Sequence, residues 1–196
     1  MMKIKNAMLL LSLIVAGSFI ARETLSQKRV ESSRQTFNPK SGIENAPIKC
    51  NVEAFRLGYA SDQPKTSVIR AAPIKNSAVL RTVTTTDEVV HSITGSDGKG
   101  WFEISKILGV SDGDVTLFEG RGWVHSSLLD LSVAGGVHKL RALPNKNSRA
   151  IKNLTGEISE ARPLSCQGTW MKIKSGKSIG WLSRDGQCAN PLTTCS

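Results

Sequence analysis

The sequence predicts an all-β protein in which one small module is used twice. The octapeptide Arg70–Ser77 returns 71 positions later as Arg141–Ser148, and six of its eight residues are identical. A self-match at a fixed offset indicates a repeated structural unit. The residues after both copies form short β-branched or apolar runs separated by turn residues, a pattern typical of strands. A period of 3.6 residues is missing throughout, so almost no helix is predicted beyond the N-terminal leader.

The four tryptophans support the repeat and locate an insertion. Trp101 and Trp170 occupy one pair of equivalent places, and Trp123 and Trp181 occupy a second pair near the end of each module. Trp101 and Trp123 are 22 residues apart, whereas Trp170 and Trp181 are 11 apart. The first module is therefore predicted to carry an 11-residue loop insertion near 106–120.

Residues 1–21 have the features of a secretory signal peptide. Lys3 and Lys5 form a basic start, and the following apolar run of about 14 residues is short of the ~20 needed to span a bilayer. The alternative is a leader that is retained as a short membrane anchor, and membrane contact is expected only in that case. Residues 22–47 are polar and mixed in charge, which predicts a disordered, flexible tether.

Two small barrels are predicted after the tether. The first covers 48–132 and the second covers 137–196, with 134–136 as the linker between them. Strands of the first barrel are predicted at 52–55, 67–70, 79–83, 88–93, 101–105 and 122–129, and those of the second at 137–141, 150–154, 157–161, 169–173 and 178–183.

The repeated motifs resemble those of a known domain family. Arg-x-x-Pro, an aliphatic run, Gly-x-Trp-x-x-Ile and then Gly-Trp-Val/Leu is similar to the pattern of the bacterial SH3-type domain (SH3b), here in tandem over about 50–187. The end of the chain, 187–196, resembles the tail of secreted double-SH3b proteins of cyanobacterial type. The resemblance implies two small, strongly bent barrels, many relatives of which bind cell-wall peptidoglycan or its peptide crosslinks.

The chain departs from the family pattern at the strand that leads into each octapeptide, which is the first strand of that pattern. Ser67 and His138 stand where the family often has leucine, and Ala72 and Leu143 stand where it often has glycine. These departures weaken the match at that strand and leave the predicted fold unchanged.

Trp101 and Trp170 are candidate ligand-binding residues. Strand alternation places Phe102 and Ile104 on the inner face and Trp101 with Glu103 on the outer face, and the second copy repeats this arrangement with Trp170 outward. An indole beside a charged group on an outer face can stack on a sugar or peptide. The alternative is that both tryptophans cover the barrel edge and stabilise it.

Arg70 and Arg141 are the other candidates for ligand binding. Each follows an apolar strand residue and precedes a turn, where a planar guanidinium can bind a carboxylate or phosphate. A structural role, in an internal ion pair or on turn carbonyls, is the favoured alternative. A structural role is also favoured for Trp123 and Trp181.

The four cysteines predict two disulfides. An even count after a leader is typical of an exported, disulfide-stabilised protein, and three connectivities are possible. Cys166–Cys188 with Cys50–Cys195 is the favoured pairing, because it would join adjacent segments of the second barrel and pin both ends of the folded part. No pair has Cys-x-x-Cys spacing, so neither a metal nor a cofactor is predicted.

Charge and residue types narrow the predicted function. The formal net charge is +10, of which the part after Ser18 keeps +8, and this favours anionic partners such as envelope polymers. The leader argues against nucleic acid, and no cysteine lies in a setting suited to a catalytic nucleophile. We therefore expect a secreted or periplasmic, non-enzymatic module that binds peptidoglycan peptide or glycan. The alternatives are a protein–protein adaptor of the envelope that docks on 106–120, and an accessory to a hydrolase on another chain.

Overall fold

Alternating apolar residues build two curled antiparallel sheets of the same design. The computed structural model describes residues 46–56, 65–111, 113–155 and 158–190. The first sheet has the order β1-β4-β5-β6-β2-β3. Its strands are β1 (Ile48–Arg56), β2 (Lys65–Arg70), β3 (Val79–Thr85), β4 (Val89–Ser96), β5 (Trp101–Gly109) and β6 (Val115–His125). The all-β prediction is confirmed, with two SH3-like barrels in tandem.

The second sheet repeats the topology of the first and adds one edge strand. Its order is β13-β7-β10-β11-β12-β8-β9, in which β7 to β12 correspond to β1 to β6. Its strands are β7 (Leu131–Val133), β8 (Val137–Arg141), β9 (Ala150–Thr155), β10 (Ile158–Gln167), β11 (Trp170–Ser175), β12 (Ser178–Leu182) and β13 (Gln187–Cys188). A single 3₁₀ turn follows β6 at Ser126–Leu128, and its counterpart follows β12 at Arg184–Gly186.

The predicted alternation along β5 and β11 is confirmed. Phe102 and Ile104 in the first barrel and Met171 and Ile173 in the second are fully buried. Their burial removes apolar surface from water, which is the main favourable contribution to folding. The buried apolar side chains of both barrels form one continuous core.

The insertion predicted as a loop near 106–120 consists largely of paired strand. Lys106 lies opposite Glu119 and Ile107 opposite Phe118, so β5 and β6 extend as a hairpin beyond the length of β11 and β12. The register of β5 against β4 shifts by one residue near Ser105, which lets Ile107 remain buried in the core. An added residue of this kind is a β-bulge, and it restores the inward face after the alternation is interrupted.

The boundary between the barrels lies earlier than the sequence predicted. Leu131 and Val133 of β7 pair with β10 of the second sheet, and both side chains are fully buried. Residues 131–132 therefore belong to the second barrel, and 134–136 connect β7 to β8 inside it. The chain passes between the sheets at 126–130. The sequence could not show this because β7 has only three residues and pairs with a strand some 25 positions away.

The two barrels are joined along the edge strand β1. Asn51 donates its backbone N–H to the Gly168 carbonyl oxygen at 2.7 Å, and Gly168 donates to the Lys49 carbonyl oxygen at 2.9 Å. Phe55 and Asp130 exchange two backbone hydrogen bonds, at 3.0 and 2.7 Å. The second barrel and the segment that leads into it thus satisfy backbone groups that an exposed edge strand would leave unpaired.

The disulfide at this junction corrects the predicted pairing. Cys50 of β1 is bonded to Cys166 of β10, with Cα atoms 5.8 Å apart and a sequence separation of 116 residues. The predicted pairs Cys166–Cys188 and Cys50–Cys195 are therefore wrong. The prediction placed one disulfide inside the second barrel, whereas the pairing of β1 with the end of β10 brings cysteines of different barrels together. Cys188 is also disulfide-bonded.

The predicted signal peptide (1–21) and nearly all of the tether (22–47) lie outside the described residues. Within the described ranges, no helix is both long and apolar enough to cross a membrane.

Candidate ligand-binding site

The repeated octapeptide forms the same turn in both barrels, and its arginine supports that turn. The Arg70 guanidinium donates from Nη1 to the Ser77 carbonyl oxygen at 2.8 Å. Arg141 makes the equivalent bond to the Ser148 carbonyl oxygen at 2.6 Å. The bond uses one of the five N–H donors of a guanidinium. Each arginine therefore has the structural role on turn carbonyls that was the alternative to ligand binding.

Arg70 also lines a pocket that contains Trp101, so two of the predicted ligand residues lie together. The pocket has a volume of about 480 Å³. We call it the Trp101 pocket, and its described lining residues are Val68, Arg70, Lys75, Trp101, His125, Ser127 and Leu128. Strand pairing explains why they meet, because Arg70 at the end of β2 and Trp101 at the start of β5 both pair with the end of β6.

Trp101 is held in place by an aromatic neighbour. The ring centroids of Trp101 and His125 are 5.0 Å apart, and their planes meet at 69°. An edge-to-face contact of this kind is worth about 0.5–1.5 kcal/mol beyond the area it buries. Trp101 remains partly exposed, so it combines a fixed orientation with an accessible ring surface.

The hydrogen bonds of His125 determine which ring nitrogen carries the proton. The backbone N–H of Ser127 donates to Nδ1 of His125 at 3.3 Å, and the Ser127 hydroxyl lies 2.8 Å from the same nitrogen. A backbone N–H can only donate, so Nδ1 of the neutral ring accepts and Nε2 bears the proton. The pocket is therefore lined by an imidazole whose Nε2–H is a hydrogen-bond donor.

The charge of the Trp101 pocket is positive. Arg70 and the exposed Lys75 contribute two cations, and none of its described lining residues is acidic. A partly enclosed site with one sign of charge attracts ligands of the opposite sign. The geometry therefore suits a ligand with an anionic group next to an apolar or planar surface.

The equivalent positions of the second barrel carry different chemistry. Trp170 and Arg141 are retained, and both are partly exposed. The counterparts of Val68, His125, Ser127 and Leu128 are Lys139, Ser183, Asp185 and Gly186. At these positions the second barrel thus has no imidazole and neither apolar wall, and it has a lysine and a carboxylate instead. The hydrogen bond from Ser183 holds the pKa of Asp185 below its usual value, and the charge of Lys146 acts in the same direction.

The other two tryptophans differ in burial. Trp123 is 6 % exposed and lies opposite Arg70 of β2 and Glu103 of β5. Trp181 is partly exposed, and the Lys172 ammonium lies 6.0 Å from its ring centroid. Such a cation–π contact adds a modest stabilisation. Both contacts fit the structural role that the sequence favoured for these residues.

Glu103 lies on the outer face, as alternation predicts, yet it is only 8 % exposed. Its carboxylate accepts a hydrogen bond from Arg121 in an ion pair, and the Thr94 hydroxyl lies 3.4 Å from its other oxygen. A carboxylate that is this covered and paired cannot be a freely accessible ligand contact.

His91 is a buried titratable group remote from the pocket. It is fully buried in β4, and its Nε2 lies 3.5 Å from the Ser67 hydroxyl. Burial lowers the pKa of His91 to about 4, and the charge of Arg56 acts in the same direction. The ring is therefore neutral at pH 7, and its role concerns stability.

His125 and Lys75 line the pocket but were not predicted as site residues. Lys75 belongs to the repeated octapeptide, and its retention as Lys146 was a usable signal. His125 follows directly after the Gly-Trp-Val motif, and alternation could have placed it beside Trp101. Leu128 carried no such signal, because the 3₁₀ turn that presents it to the pocket has no clear sequence pattern.

The chain matches no protein-family model and no curated protein. Among solved structures, it is similar to one described as NlpC2 from Trichomonas vaginalis, at 11% sequence identity and a TM-score of 0.30. The similarity covers 76% of this chain and 50% of that chain, so this chain spans half the length of that protein. Any assignment of a ligand site therefore rests on the pocket itself.

Proposed function

We propose that this protein is a non-enzymatic binding module of the bacterial envelope that recognises cell-wall peptidoglycan through its SH3b-type barrels. The observation that carries the proposal is the Trp101 pocket, in which an oriented indole lies beside Arg70 and Lys75. Indole surfaces suit sugars and peptide planes, and the two cations suit the carboxylates of wall peptides.

The size of the pocket supports a small or segmental ligand. Its volume of about 480 Å³ falls within the roughly 300–1,000 Å³ that is usual for small-molecule sites. A few residues of peptide or one to two sugars fill such a space. Recognition of a repeating polymer by a pocket of this size is weak for each contact, and it gains strength when several copies bind one surface.

The disulfide supports an exported location. The Cys50–Cys166 bond joins two barrels, and such bonds persist in oxidising compartments such as the periplasm or the cell exterior. This location would bring the protein into contact with wall polymers.

Co-sedimentation with insoluble peptidoglycan tests the proposal. The purified protein is mixed with the polymer at low and at physiological salt, and the pelleted fraction is measured. Pelleting that survives physiological salt is expected for specific recognition. Loss of pelleting at that salt would assign the binding to net charge alone, because exposed charges are screened beyond about 8 Å there.

A protein–protein adaptor is the second candidate, and the β5–β6 hairpin favours it. Val115 on that hairpin is 56% exposed, and residues 116–119 line a shallow groove with Leu80 and Arg81. An exposed apolar patch of this kind can mark an interaction site. The adaptor becomes the better account if the protein fails to pellet at either salt while Val115→Asp abolishes capture of an envelope protein.

A further inference from the structure

We infer that the Trp101 pocket binds the free terminal carboxylate of a short peptide, and that the first barrel alone has this specificity. The inference deepens the proposed function, and it rests on that function for the choice of a wall peptide as ligand. It goes further in naming the chemical group that is recognised and the barrel that recognises it.

The cations of the Trp101 pocket are available to an anionic ligand. Arg70 and Lys75 both line the pocket, and the described lining includes no acidic residue to neutralise them. The bond from Arg70 to the Ser77 carbonyl oxygen fixes the guanidinium while using one of its donors. A guanidinium in a fixed position loses little entropy when it binds a carboxylate, and its planar fork matches the two carboxylate oxygens.

Apolar walls and a neutral donor lie next to the cations of the Trp101 pocket. Val68, Leu128 and the Trp101 ring supply apolar walls in the same pocket. Nε2–H of His125 adds a neutral donor that suits a peptide carbonyl oxygen, since Nδ1 is engaged by Ser127. A carboxylate attached to a small apolar residue and preceded by a peptide bond satisfies all of these groups. An isolated phosphate would leave the apolar walls unused.

The second barrel differs from the first at the corresponding positions. Lys139 replaces an apolar wall, Gly186 removes another, and Ser183 replaces the imidazole. Asp185 adds a carboxylate there, and the hydrogen bond from Ser183 lowers its pKa. A carboxylate at this position repels a second carboxylate. The second barrel therefore keeps the fold and the cations of the site, but it places a carboxylate among them and lacks the apolar walls.

Calorimetric titration of the full chain tests the inference with acetyl-dialanine, which has a free carboxylate, and with the same peptide as its C-terminal amide. The acid is expected to bind, and the amide is expected to bind about tenfold more weakly or worse, because it lacks the charge-assisted hydrogen bonds. Equal binding of acid and amide would overturn the inference. Inorganic phosphate that competes tenfold better than acetate would also overturn it, because the site would then select phosphate.

Two matched substitutions assign the binding to one barrel. Lys75→Gln is expected to weaken acid binding about tenfold, whereas Lys146→Gln at the equivalent turn should leave it unchanged. Both lysines are exposed, so both variants should fold, and melting temperatures close to wild type would verify this. Equal losses in the two variants, or no loss with Lys75→Gln, would contradict the assignment.

The outcome of the peptide titrations can be distinguished from the outcome of the wall-pelleting test. Wall pelleting together with equal binding of acid and amide would retain wall recognition and refute carboxylate selection. Selective acid binding without wall pelleting would support the site and refute the wall as its target.

Discussion

The two barrels share a backbone design and differ in what they present at one end. Both have the same strand order, the same arginine-supported turn and the same 3₁₀ turn after the last long strand. The first barrel lines that end with a histidine, apolar walls and two cations. The second has Ser183, Asp185 and Gly186 at the corresponding places.

This difference shows that repetition of a fold does not imply repetition of a site. The shared residues, such as Arg70 and Arg141, support turns that each barrel needs in order to fold. The divergent residues line the pocket of the first barrel or occupy the equivalent positions of the second. Substitutions at shared positions should therefore affect both barrels alike, whereas substitutions around the pocket should not.

The largest expected effect follows removal of the bond between the barrels. The double variant Cys50→Ser/Cys166→Ser should lower the free energy of unfolding by about 2–5 kcal/mol, because the disulfide closes a long loop in the unfolded chain. The two barrels share a core, so they should lose stability together. Chemical denaturation followed by tryptophan fluorescence provides the measurement. A variant in which one barrel unfolds well before the other would show that the core does not couple them.

The next largest effect is the pH dependence that His91 gives to the stability of the protein. Burial holds the pKa of His91 at about 4, so the unfolded chain takes up a proton below about pH 6.5 while the folded protein does not. Stability from this residue is complete above pH 6.5, falls as the pH drops to 4, and is then lower by about 3 kcal/mol.

The variant His91→Gln tests this prediction. It should lose the His91 component of the decline, so its unfolding free energy should change less between pH 7 and pH 4 than that of the wild type. His138→Gln is the control, because His138 is only partly buried. A change in unfolding free energy between pH 7 and pH 4 that is the same in wild type and His91→Gln would contradict the prediction.

Two equivalent glycines should show matched, intermediate effects. A Cβ at Gly122 would lie 2.2 Å from the Ile69 side chain, and one at Gly180 would lie 2.7 Å from Leu140 and 2.8 Å from the Arg141 carbonyl oxygen. Gly122→Ala and Gly180→Ala should each cost about 1–3 kcal/mol through overpacking. Thermal unfolding measures both losses. Tolerance of one substitution and not the other would mean that the barrels are packed differently at this shared position.

The smallest expected effect tests the repeated turn. The Ser77 hydroxyl donates to the Ala72 carbonyl oxygen at 2.8 Å, and the Ser148 hydroxyl accepts from the Leu143 N–H at 2.8 Å. Ser77→Ala and Ser148→Ala should each lower the unfolding free energy by about 1 kcal/mol. Equilibrium denaturation can resolve such a change. A loss confined to one barrel would show that the repeated octapeptide is not equally important in both.

Local sequence patterns predicted much of this fold. The features that depend on contacts between distant residues could not be predicted. The offset between the two octapeptides gave the number of modules, and the alternation around Trp101 and Trp170 gave the buried faces of β5 and β11 correctly. The pairing of β7 and the Cys50–Cys166 bond could not be predicted, because both depend on how two sheets meet.

The candidate site was predicted only in part, because some of its residues meet only through long-range contacts. Arg70 and Trp101 each lie in a recognisable motif, and strand pairing brings them into one pocket. The sequence placed Trp170 and Arg141 on equal terms with them, because some of the neighbours that distinguish the two sites lie in a separate turn. Asp185 and Leu128 each lie in a 3₁₀ turn that only the folded chain brings beside the site.

The most direct test of the central claim is the pelleting of Trp101→Ala and Trp170→Ala with insoluble peptidoglycan at physiological salt. Wild type and Trp170→Ala should pellet alike, while Trp101→Ala should remain in the supernatant with a melting temperature close to that of the wild type. Equal pelleting of the two variants would contradict the claim that binding resides in the Trp101 pocket of the first barrel.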